Sequence, residues 1–133
     1  MSVFPPSLWE FSLSVYAQPG MERLCLWLQD SRQVNVNTLL WALWLDEQQY
    51  PFHADLWRRG LSCAAPWQLG VVLPLRSLRR RLPKRPPWLS LRARVQQWEL
   101  RGERRQLQCL QVVSDGFNVT RDVGGKETAG SGN

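Results

Sequence analysis

The chain has 133 residues and a mass of 15.5 kDa, enough for one domain with a real core, so folding needs no disulfide or metal staple. Hydrophobic residues at 44% and charged residues at 21% exclude wholesale disorder. The net charge of +6 is unevenly placed: residues 76–105 carry eleven basic side chains against Glu99 and Glu103, while residues 1–54 are net acidic. The longest apolar runs, Leu39–Leu45 and Val71–Leu75, fall far short of the ~20 residues that cross a bilayer. The opening MSVFPPSLWEF lacks the features of a secretory signal, so a cytoplasmic location is expected.

In chain order, Ser7-Leu8-Trp9-Glu10 reads as a capping box that opens a first helix running to about Gln18. Pro19-Gly20 stops it. A second helix to about Asp30 carries Met21, Leu24, Cys25 and Leu28 at amphipathic spacing. Asn35 or Asn37 can cap a third helix over about Val36–Gln49, which is apolar nearly all round. Leu39, Leu40, Leu43 and Trp44 are its expected core residues. Asp55 is placed to cap a short fourth helix ending near Leu61. Pro66 then suits the first position of a fifth helix, from Trp67 to about Leu82, which Pro74 should kink.

Leu82-Pro83-Lys84-Arg85-Pro86-Pro87 is extended, because residues before proline are pushed out of the helical region. A last helix runs from about Leu89 to Gln111. Residues 107–121 also allow a hairpin around Asp115-Gly116, so helix and hairpin both stay open there. The reading is a single all-α domain over residues 1–113, a small bundle of five or six helices, followed by a flexible glycine-rich tail over 114–133.

Within Phe11–Leu45, the pattern Tyr16, Pro19-Gly20, Cys25-Leu26, Leu28-Gln29-Asp30, Val36-Asn37, Leu39-Leu40 and Trp44-Leu45 resembles a proteobacterial family of short all-helical proteins classed only as a domain of unknown function. Ala65-Pro66-Trp67-Gln68, Val71-Val72, Pro74-Leu75-Arg76 and Arg79-Arg80 extend it. Near the end, Glu99-Leu100-Arg101-Gly102-Glu103 fits the family's Glu-Leu-x-x-Glu pattern, with glycine at an unusual place. The resemblance implies an all-helical bacterial cytoplasmic protein and brings no catalytic residue, cofactor or substrate.

No nucleophile motif, phosphate loop or zinc-ligand spacing is present, so catalysis, a cofactor and a bound metal are not expected. Cys25, Cys63 and Cys109 read as three reduced, small apolar residues. Asp30, Asn35 and Asn37 form a polar cluster at one interhelical turn, read as capping and turn hydrogen bonding. Eight tryptophans suggest an exposed aromatic patch; Trp9, Trp27 and Trp41 fall off their helix stripes and are the candidates for binding a protein. The rival site is the basic patch Arg76, Arg79, Arg80, Arg81, Lys84, Arg85, Trp88 and Arg92, suited to nonspecific phosphate contact with RNA or DNA. Protein–protein interaction is the expected function, and nucleic-acid binding is the alternative.

Overall fold

A computed structural model describes the backbone of residues 6–131 and the side chains of residues 6–117. Six α-helices follow one another: α1 (Leu8–Tyr16), α2 (Met21–Ser31), α3 (Val36–Glu47), α4 (Ala54–Trp67), α5 (Leu73–Arg81) and α6 (Trp88–Ser131), with a π-helical segment (Gln68–Val72) joining α4 to α5. No strand occurs among the described residues.

Local chemistry fixes the first three helices. The Glu10 amide donates to Ser7 Oγ at 3.1 Å and the Ser7 amide to Glu10 Oε2 at 3.3 Å, completing the capping box. Helix α1 ends two residues earlier than expected, because Gly20 takes a left-handed φ of 80° to start α2. Asn35 Oδ1 accepts from the amides of Asn37 and Thr38 and caps α3.

The fourth and fifth helices depart from expectation. His53, rather than Asp55, occupies the N-cap position of α4, without a side-chain capping bond, and Pro66 lies inside the last turn. Helices α4 and α5 form one continuous rod. Pro74 has no amide to offer the Gly70 carbonyl; just before it, Leu73 donates to Gln68 five residues back, so the rod widens into a π turn.

Residues 107–121 are helical, not a hairpin, and the domain boundary drawn at 113 falls inside α6. The reason is tertiary. Leu107, Leu110, Ser114 and Phe117 recur at helical spacing and are all buried, so only a continuing helix lays all four on the core.

That core joins Leu8, Trp41, Trp44, Leu56, Ala64, Leu107, Leu110 and Phe117, while Cys25, Val36 and Leu40 form a smaller cluster under α2. Leu43, expected in the core, is 46% exposed; Trp41 takes its place. The Trp41 indole stacks on Trp57 at 5.2 Å and lies directly over Gly60, where any Cβ would collide with its ring. Gly102 plays a similar part in α6: a Cβ there would meet Val71 Cγ1 at 2.9 Å, so glycine lets α6 close onto the π segment. Cys63 and Cys109, expected as free thiols, are joined in a disulfide between α4 and α6 with a Cα separation of 6.2 Å; Cys25 stays free and buried.

Candidate functional site

Polar and charged side chains converge where α5 meets α6. Glu99 and Glu103 lie one turn apart on the same face of α6 as Val95 and Gln106, facing inward. Arg76, only 6% exposed, donates from Nε to Glu99 Oε1 at 2.9 Å and from Nη2 to Glu103 Oε1 at 3.0 Å. Arg79 Nε reaches Glu99 Oε2 at 2.6 Å. Two guanidinium groups thus neutralise the buried Glu99 and the half-buried Glu103. Burial alone would raise the Glu99 carboxyl, but the bonds from Arg79 and Arg76 outweigh it and hold Glu99 below the usual carboxylate range. Glu103 is raised by burial, which Arg76 only partly offsets.

This cluster continues into α3. The Asn37 side-chain amide donates to Gln106 Oε1 at 2.8 Å and to the Glu103 carbonyl at 3.1 Å, while Gln106 Nε2 donates to the Ala64 carbonyl at 2.9 Å. Tyr16 borders it from α1, its phenol pushed up to about 12 by burial, with the Cys25 and Glu103 charges adding. The cleft between Tyr16, Asn37, Arg76 and Glu103 has a cavity volume of about 10 Å³, about the room one water needs. Every charge in it is met by a partner, so the cluster pins α3 and α5 to α6.

The expected polar cluster is therefore divided among three tasks. Asn35 caps α3, Asn37 enters the buried network, and Asp30 pairs with Arg80 of α5. The basic patch is divided too. Arg76 and Arg79 are consumed by Glu99 and Glu103, and Arg80 by Asp30. Arg92 is half-buried, with its Nε lacking a hydrogen-bond partner. Arg81, Lys84, Arg85 and Trp88 remain exposed. Sequence reasoning missed Glu99 and Glu103 as partners, although their placement in register with Val95 and Gly102 marks them as inward-facing.

The tryptophan candidates also separate. Trp41 is fully buried, its indole N–H donating to Ser114 Oγ at 2.8 Å, and so offers nothing to a partner. Trp9 packs against the core under the Arg104 guanidinium, 4.5 Å from its ring. Trp27 is 50% exposed and carries Arg32 over one face.

An open apolar cleft of about 330 Å³ lies between the end of α3 and the start of α4. Leu45, Tyr50, Pro51, Leu56 and Trp57 wall it, and Phe52 stands at its lip, 80% exposed. The His53 ring meets Phe117 edge-on at 5.0 Å beneath that lip. Among the described residues, no group of three His, Cys, Asp or Glu side chains is placed to hold a metal ion, and no helix is long and apolar enough to cross a membrane.

Six helices around a buried ionic seam, with an apolar cleft at one end, define a small all-α protein. The chain belongs to the family described as protein of unknown function (DUF2390), whose model matches residues 7–110, from the Ser7 cap to the core residue Leu110. No curated protein and no solved structure matches the chain.

Proposed function

We propose that the protein is a non-catalytic binding protein that acts through protein–protein contact, with the α3–α4 cleft as its docking face. The observation that carries this reading is Phe52, 80% exposed at the mouth of an apolar cleft of about 330 Å³. Leaving a phenyl ring in water forgoes roughly 1.5–3 kcal/mol of burial, which a partner's apolar side chain would recover. The cleft suits the anchor residue of an amphipathic helix, because its walls are apolar and its rim carries Asp46 and His53. A non-catalytic role is supported by the ionic seam, where Glu99 is held by Arg76 and Arg79, and Glu103 and Tyr16 border a cavity of only about 10 Å³. The alternative reading, nucleic-acid binding through Arg76–Arg94, loses Arg76 and Arg79 to that seam.

The test is affinity capture of the tagged chain from its native cell under gentle conditions. Wild type and Trp27→Ser should retain a defined protein partner in stoichiometric amount, and Phe52→Ser should lose it. A wild-type protein that runs alone and monomeric overturns the proposal.

A further inference from the structure

The outward side of α6 carries a second, separate surface. Both acidic residues of the segment Trp88–Gln108, Glu99 and Glu103, face inward and are neutralised by Arg76 and Arg79. The outward side is left with arginines and no carboxylate. Arg94, Trp98, Arg101 and Arg105 are all exposed and follow one another at steps of four, three and four residues, which puts them on one stripe of the helix. Each directly precedes a buried residue, Val95, Glu99, Gly102 or Gln106, so the core stripe fixes the orientation of the exposed one. Arg101, Arg104, Arg105 and Gln108 wall an open groove on this side. Among the described residues, Arg94, Arg101 and Arg105 make no ion pair and no cation–π contact.

We infer that this stripe binds single-stranded nucleic acid, with Arg94, Arg101 and Arg105 on successive phosphates and Trp98 stacked on a base. Charge complementarity carries the assignment: three unpaired guanidinium groups spread over about 16 Å of helix, with no acid among them, fit a partner of repeating negative charge. Guanidinium forks match phosphate in a bidentate way. Trp98, 45% exposed, sits between Arg94 and Arg101, where an indole face offers a sequence-tolerant platform for a base. A membrane surface fits less well, because the arginines interrupt Leu91, Trp98 and Val112 along the stripe and leave no continuous apolar strip to insert. This surface is distinct from the α3–α4 cleft, and either reading can fail without the other.

The experiment is fluorescence anisotropy with a short mixed-sequence single-stranded RNA, titrated between about 50 and 200 mM salt. Wild type should bind, and Arg94→Gln/Arg101→Gln/Arg105→Gln should weaken binding at least tenfold and flatten the log–log salt slope by about 2. Arg23→Gln/Arg32→Gln/Arg58→Gln, which removes three charges elsewhere, should bind nearly as wild type. Trp98→Ala should weaken RNA binding about tenfold while leaving retention on heparin, which has no bases, unchanged. Circular dichroism confirms that each variant is folded. Absence of RNA binding by wild type, or equal losses in the two triple variants, overturns the inference. So does binding of polyglutamate or phosphatidylserine vesicles as tight as that of RNA, which would assign the stripe to an acidic protein or a lipid surface.

Discussion

Around residues 107–117, α6 lays Leu107, Leu110 and Phe117 on a core of Trp41, Trp44 and Leu56, with Ser114 Oγ accepting from the Trp41 indole and donating to the Leu110 carbonyl. Around residues 95–106 the same helix packs the buried Glu99 and the half-buried Glu103 against Arg76 and Arg79. Apolar burial is non-directional and favourable by area. An ionic seam is different: desolvation takes back most of the Coulombic gain, and what remains is the requirement that each charge meet its partner. The apolar half should therefore set how stable the bundle is, and the ionic half which register α5 and α6 adopt.

The largest effect should come from the apolar half. Trp41→Ala removes the stack on Trp57, the bond to Ser114 and the contact with Gly60, so a loss near the top of about 3–5 kcal/mol is expected in urea denaturation. Gly60→Val should be nearly as damaging, since its side chain would occupy the space of the Trp41 ring. A Gly60→Val protein as stable as wild type would show that the packing of α3 on α4 is looser than the structure gives.

In the ionic half, Arg76→Met should cost about 3 kcal/mol, the low end for breaking a buried pair, because Arg79 remains to hold Glu99. Replacing Arg76 together with Glu103, as Arg76→Met/Glu103→Leu, should recover most of that loss, because Arg79 still neutralises Glu99. If the double variant is as unstable as the single one, the seam contributes energy as well as register. A loss of about 2–4 kcal/mol is expected from Cys63→Ser, which opens the 46-residue loop closed by the disulfide. Thiol titration of the denatured, unreduced protein should find one thiol per chain, that of Cys25; three would contradict the disulfide.

Features written within a few residues were legible in the sequence. The Ser7–Glu10 box, the Pro19-Gly20 break and the Asn35 cap depend on hydrogen bonds and backbone preferences that span one turn. Helix α3 shows where that reading stops. It is apolar nearly all round, so no stripe reveals that Trp41 faces in and Leu43 out; Gly60, on another helix, decides it. The continuity of α6 past Asp115-Gly116 rests on the burial of Ser114 and Phe117, a tertiary fact. Of the basic patch, the charge was legible but its use was not. Arg76 and Arg79 find their carboxylates at least twenty residues away, and a run of arginines reads as free to meet phosphate until the partner helix is in place.

The smallest expected effect, and the most discriminating within the ionic seam, is the response to pH. Glu99 has a folded pKa below its unfolded value near about 4.3, so its contribution is present above that value and is lost as pH falls through the folded pKa. Glu103 has a raised folded pKa, so its contribution is complete below the unfolded value and is lost as pH rises through the folded one. The two carboxylates share Arg76 yet pull stability in opposite directions across the acid range. Glu99→Gln should therefore flatten the acid-side loss of stability, whereas Glu103→Gln should steepen it and raise stability slightly at neutral pH, since a glutamine oxygen can still accept from Arg76. Urea midpoints from about pH 3 to pH 8 check this. If both substitutions move the curve the same way, the carboxylates act as one shared charge, and the division of roles between them is wrong.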